Sequence, residues 1–195
     1  MTRHSQRGYS LIEFAIGLVI FSLMVTMGVP SFSNWIQNSH IRTASEDIQN
    51  GLQLARAEAV RRNQPVNFQT MTTADDACAL SAASSNWVIS LDDPTGACAT
   101  PPSDAVAPRI IQMRAAAEGS INAVVAAGQS SITFNGLGRL TPVPAGNIDI
   151  DISNPSGGTC IAAGGNMRCL RIVVSTFGQV RMCDPTQAST TPQGC

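Results

Sequence analysis

Arg7-Gly8-Tyr9-Ser10-Leu11-Ile12-Glu13 runs directly into an apolar segment that ends at Pro30. Before it, residues 1–8 hold Arg3, His4 and Arg7 and no acid. Such a flank stays on the cytoplasmic side of a membrane. From Leu11 to Val29 the only charge is Glu13, and Ser22 and Thr26 are the other clearly polar side chains. Tyr9 to Val29 has the length of a spanning helix, for which about 20 apolar residues are needed. A secretory signal peptide fits poorly, because the run is too long for its apolar region and no small-residue cleavage site follows. A plain anchor leaves Glu13 unexplained. A carboxylate at the centre of a bilayer costs on the order of 2–3 kcal/mol even on the lenient insertion scale, so such residues usually have a partner.

Beyond Pro30 the pattern becomes amphipathic. Phe32, Trp35 and Ile36 come first, with Trp35 suited to a lipid boundary. Ile41, Ala44, Ile48, Leu52, Ala55 and Ala59 then recur at three- and four-residue steps, which is helical spacing. Asn63 and Pro65 end the helix. Helical throughout, Tyr9 to Arg62 would extend ~80 Å. The proline at position 30 removes one backbone hydrogen bond and marks a kink.

From about residue 64 the periodicity turns to that of strands. Candidates are 66–71, 87–91, 109–113, 131–134, 148–152, 170–175 and 179–182. Ile148-Asp149-Ile150-Asp151-Ile152 alternates most clearly and predicts a half-buried strand with its acids in water. Asn135-Gly136 and Phe177-Gly178 mark turns, the second closing a hairpin. Residues 92–108 and 153–166 read as long loops. The sum is an α+β chain: a long N-terminal helix, half transmembrane and half amphipathic, packed on an antiparallel sheet. The boundaries are 1–8 for a leader, 9–29 for the membrane helix, 30–63 for its continuation and 64–195 for the head.

All six cysteines, Cys78, Cys98, Cys160, Cys169, Cys183 and Cys195, lie in the head. No C-x-x-C pair occurs among them, which argues against zinc and thioredoxin-type sites. An even number on the exported side of an anchor points to disulfides. Six cysteines allow 15 pairings, and sequential pairing is the expected one because each bridge would tie off a loop or tail.

Enzymatic chemistry finds little support. His4 and His40 are the only histidines, and His40 has no carboxylate at helical spacing for a metal or a triad. The chain contains no lysine, which excludes a Walker loop. Asp149 and Asp151 share a strand face without a pocket, and Asp75-Asp76 and Asp92-Asp93 read as solvated loop acids. The expectation is a non-enzyme without cofactor or metal.

The opening stretch resembles the class III signal of type IV pilins and pseudopilins. That resemblance implies cleavage between Gly8 and Tyr9 by a prepilin peptidase, N-methylation of Tyr9, and pairing of Glu13 with the N-terminal amine of a neighbouring subunit during assembly. The family usually has Phe where this chain has Tyr9. Pro30 falls where many pilins have a helix-softening proline. Leu52-Gln53-Leu54-Ala55-Arg56-Ala57-Glu58-Ala59-Val60-Arg61-Arg62 followed by Asn63-Gln64-Pro65-Val66 is similar to the helix end of the GspH/FimT group of minor pilins and pseudopilins. The resemblance implies a minor pilin of a type IV pilus. It would be held in the inner membrane by one helix with a periplasmic head, then built into an extracellular pilus with other major and minor pilins. A minor pseudopilin of type II secretion is the alternative.

DNA capture is the other function to weigh. Of the twelve arginines, loss of Arg3 and Arg7 with the leader leaves ten against thirteen acids, a net of −3, which is not typical of a nucleic-acid binder. The C-terminal region is locally basic through Arg168, Arg171 and Arg181. Gly178-Gln179-Val180-Arg181 is similar to the Gly-Arg-x-Arg segment of FimT-type pilins, some of which bind DNA, but has Gln179 at the first arginine. The three arginines are therefore candidate contacts for duplex DNA, bound weakly and without sequence preference. Arg61-Arg62 is better read as cations at a helix C-terminus.

Overall fold

The computed structural model describes residues 10–116 and 122–195, and in the helix the side chains of residues 27–31 lie outside that set. The expected leader, Gly8 and Tyr9 fall outside the described residues, as does the side chain of Pro30. One helix, α1, runs from Leu11 to Arg62 and continues through position 30. It starts on a cap: the Ser10 hydroxyl accepts the Glu13 amide at 3.3 Å. Ser22 and Thr26 bond back to the carbonyls of Val19 and Leu23 at 2.8 and 2.9 Å, so neither hydroxyl is left unsatisfied in the apolar run. At the other end Asn63 takes a left-handed φ of 50°. The Gln64 amide reaches Ala59 O and the Asn63 amide reaches Val60 O, the two bonds of a Schellman motif. Pro65 then prevents any continuation.

The chain divides into two compact units, Met1–Ile36 and Gln37–Cys195. In the first, the large apolar side chains from Leu11 to Val25 are 45–87% exposed. Phe32 and Trp35 stack with ring centroids 5.9 Å apart. Among the described residues no helix is long and apolar enough to cross a membrane.

The second unit folds around its own interior, since every core residue lies at or beyond Ile41. Its strands are β1 (Val66–Met71), β2 (Asn86–Ser90), β3 (Ile110–Arg114), β4 (Val124–Ala127), β5 (Ser131–Phe134), β6 (Ile148–Ser153), β7 (Leu170–Val174) and β8 (Val180–Cys183). They form two antiparallel four-stranded sheets, ordered β3-β2-β1-β5 and β4-β6-β7-β8, where the sequence suggested one. The sequence also gave no sign of β4, whose Val-Val-Ala-Ala is too short and uniformly apolar to alternate. Arg109, expected to open β3, instead has φ 49° after Pro108, and the strand begins at Ile110.

The helix stripe Ile41, Ala44, Ile48, Leu52, Ala55 and Ala59 is buried in one core with inward residues of both sheets. Phe68, Trp87, Ile89, Ile132 and Phe134 come from the first sheet; Val125, Ile150, Ile152, Ile172 and Val174 come from the second. A smaller cluster of Met71, Val88, Cys78, Cys98 and Ile110 lies on the far face of the first sheet. Cysteines pair sequentially: Cys78–Cys98, Cys160–Cys169 and Cys183–Cys195. The first bridge fills the small cluster. The second closes the loop that meets α1, where Asn154 Nδ2 donates to Gln37 Oε1 at 2.6 Å and the Arg168 amide donates to Asn38 Oδ1 at 2.8 Å.

Trp87 is buried, and among the described residues its indole N–H has no hydrogen-bond partner. An unpaired buried donor costs about 1–3 kcal/mol, close to what the lost ring area is worth. Trp87→Phe should therefore change the stability of the Gln37–Cys195 unit by no more than about 1 kcal/mol in urea unfolding. A loss of 3 kcal/mol or more, as for an ordinary core truncation, would show that the N–H has a partner.

Candidate assembly helix and arginine face

Two groups of residues were singled out by the sequence: the first turn of α1, and three arginines near the C-terminus. In α1, Glu13 stands in the first turn, where a carboxylate is favoured by the N-terminal dipole. Its side chain is exposed among exposed Leu11, Ile12, Phe14 and Ile16. The cap uses the amide of Glu13, so its carboxylate is not needed to start the helix.

The arginines sit on and beside the second sheet. Cross-strand pairing places Asp151 opposite Arg171 and Asp149 opposite Val173, on the face away from the core. Arg171 grips Asp151 with two bonds, Nε–Oδ1 2.7 Å and Nη2–Oδ2 2.9 Å, and reaches Asp149 Oδ2 at 3.1 Å. Bidentate pairing is the strong form of this contact. The carboxylates raise the pKa of Arg171, chiefly through the hydrogen bonds it donates to Asp151. The acids expected to be solvated are thus the partners of a candidate DNA contact.

Arg181 on β8 donates to Gly194 O at 3.0 Å and Cys195 O at 3.4 Å, so it holds the tail that Cys183–Cys195 closes. Arg168 donates to Asp184 Oδ2 at 2.7 Å. Asp184 is buried, its side chain 4% exposed. Burial alone would raise its pKa, but the Thr186 hydroxyl and amide together with Arg168 outweigh that and hold it below the usual carboxylate value. Asp184 was missed in the sequence; the Asp-Pro-Thr turn following Cys183 is the signal that could have found it.

The remaining charged pairs are also occupied. Arg61 and Arg62 both engage Glu58, and Arg62 reaches Asp104 at 2.6 Å. Hydrogen bonds from Arg61 and then Arg62 hold Glu58 below its ordinary pKa against the pull of burial. Arg109 and Asp92 form a two-bond pair. Among the described residues no group of three or more His, Cys, Asp or Glu side chains is placed to hold a metal ion.

The sign of the pH dependence follows from the lowered carboxylates, of which Asp184 and Glu58 are the partly buried ones. Asp184 and Glu58 bind their protons more weakly folded than unfolded, so their stabilisation is complete above the unfolded carboxylate pKa and is lost as pH falls through the folded values. Thermal midpoints should hold steady at mildly acid and neutral pH and drop below about pH 4. Asp184→Asn should cost about 1–2 kcal/mol at neutral pH and flatten the acid limb. An unaltered acid limb in that variant would remove Asp184 from the explanation.

A family model described as Type II transport protein GspH matches residues 44–178, and the prokaryotic N-terminal methylation motif matches residues 3–29. Two crystal structures of the type IV minor pilin FimU of Pseudomonas aeruginosa (strain PAO1) are similar in fold. Each is 16% identical and covers 77% of this chain, with 93% and 98% of those chains covered and TM-scores of 0.52 and 0.50. No curated protein matches.

Proposed function

The chain belongs to the GspH family of pilin-like proteins, and we propose that it is a minor pilin subunit of a type IV pilus, with a structural rather than a catalytic role. The observation that carries this is the start of α1, where the methylation-motif match coincides with a helix whose apolar side chains are exposed around one carboxylate. A helix apolar all round needs lipid or other such helices to cover it. In this reading a prepilin peptidase cuts between Gly8 and Tyr9, Tyr9 is N-methylated, and 9–29 holds the protein in the inner membrane. The head stays periplasmic, stapled by its disulfides, until the subunit enters the pilus. Glu13 then meets the N-terminal amine of a neighbouring pilin in a low-dielectric bundle, where either charge alone would be expensive.

The family also contains secretion pseudopilins, so the rival is a minor pseudopilin of type II secretion. Deleting the gene and scoring twitching, transformation and protein secretion separately tests the choice. Loss of twitching is expected; loss of secretion alone would select the rival.

DNA capture would need Arg168, Arg171 and Arg181 to reach phosphates. Each is engaged by carboxylates or tail carbonyls. Gel retardation of duplex DNA by the Gln37–Cys195 unit is therefore expected to be absent at physiological salt. Arg171→Ala should instead lower stability by about 1 kcal/mol, since its partners are half exposed. Retardation that Arg171→Ala and Arg181→Ala abolish would establish capture.

A further inference from the structure

At the C-terminal end of α1, three apolar side chains stand in solvent: Val60 (52% exposed), Leu137 (75%) and Phe177 (70%). They come from separate parts of the chain that meet at Gly138. A Cβ on Gly138 would lie 3.1 Å from both Val60 Cγ2 and Arg56 Nε, and one on Gly178 would run into Gly138 O. Arg56 Nε donates to Gly138 O at 3.1 Å, and the Arg139 guanidinium lies 5.8 Å from the centre of the Phe177 ring. Among the described residues neither Arg56 nor Arg139 pairs with a carboxylate, unlike Arg61, Arg62, Arg109, Arg168 and Arg171. The loop 135–140 is held rigidly between helix and hairpin: Asn135 Oδ1 accepts the amides of Leu137 and Arg139. A fixed apolar patch beside two unpaired cations has the character of an interface, not of scattered surface.

The same head carries the opposite surface. Cys78–Cys98 ties together two loops that bear Asp75, Asp76 and Asp93, all exposed. Their carboxylates accept only from hydroxyls and amides: Asp75 from Thr73 and Ala77, Asp76 from Ala99, and Asp93 from Thr95. None has a cation among the described residues. Leu80, 43% exposed, lies on the first of these loops.

We propose that the Val60–Leu137–Phe177 patch, with Arg56 and Arg139, docks the Asp75–Asp76–Asp93 surface of a second copy of this chain. Charge complementarity between two surfaces of one head selects that occupant. The two surfaces differ, so the contact is heterologous and propagates instead of closing as a two-fold dimer. This goes beyond the minor-pilin reading, since heads would join heads whichever machine they serve.

The test is sedimentation equilibrium of the Gln37–Cys195 unit, which holds the whole core, at low and high salt. Concentration-dependent species larger than a dimer are expected at low salt and should dissociate at high salt. Arg139→Glu and Asp76→Arg should each weaken association by about tenfold or more. Mixing the two variants should restore it, because each supplies the surface the other lacks. Phe177→Ala should weaken it without altering the thermal midpoint. A monomer at all concentrations, a dimer indifferent to both charge reversals, or a mixture no stronger than its components would each overturn the proposal.

Discussion

Glu13→Ala should produce a protein that is made, inserted and cleaved normally but is absent from assembled pili. Two terms set the size of the effect. As a single chain in lipid, the variant gains, because a carboxylate there costs on the order of 2–3 kcal/mol. In the bundle it loses, because a neighbour's N-terminal amine is left buried and unpaired. Breaking one partner of a buried pair costs about 3–5 kcal/mol, or roughly two to three and a half powers of ten in the incorporation equilibrium. The second term applies only on assembly, so membrane level and incorporation should separate. The helix start should survive, because the Ser10 hydroxyl binds the Glu13 amide and not its side chain. Glu13→Gln distinguishes charge from shape: it keeps the hydrogen-bonding carbonyl and should still fail. The measurement is immunoblotting of sheared pili beside the membrane fraction. Normal amounts of the Ala variant in pili would refute the role assigned to Glu13.

The sequence revealed the helix and most strands because both rest on local periodicity. Ile41 to Ala59 repeats at helical steps, and Ile148 to Ile152 alternates, so each states which face it buries. The helix end was legible for the same reason, since Asn63 and Pro65 act within one turn. Sheet membership was not legible. β1 pairs with β2 and with β5, about sixty residues away, and nothing local specifies that partner. The arginine face was half legible. Arg171 and the two acids of β6 each read correctly as outward-facing, but only the register shows them opposite one another. That register turns three solvated charges into one ion-pair group. Arg181 stood out as a cation, but its hold on the tail gave no local signal, because its partners there are backbone carbonyls.

Gly51 is the position where local and tertiary rules oppose each other, which makes its substitution the sharpest test of the head. A glycine inside a helix costs about 0.5–1 kcal/mol relative to alanine, so the local expectation is that Gly51→Ala stabilises. The packing says otherwise. A Cβ at this position would lie 2.8 Å from Phe68 Cε2 and 3.1 Å from Trp87 Cζ2. Both rings are buried in the core, and their centroids are 5.6 Å apart, so neither can retreat without moving the other. Overpacking of this kind costs about 1–3 kcal/mol, which exceeds the propensity gain. Gly51→Ala is therefore expected to be destabilising by about 1 kcal/mol net, and Gly51→Val by roughly 3 kcal/mol. Valine adds two methyl groups to the same contact and recovers little helix propensity. Gln53→Ala, on the exposed face two residues on, should be neutral or slightly stabilising and serves as the control. Urea unfolding of the Gln37–Cys195 unit decides it. A stabilised Gly51→Ala would mean that α1 can lift from β1 and β2 at little cost, and that the close approach at Gly51 does not fix the helix on the sheet.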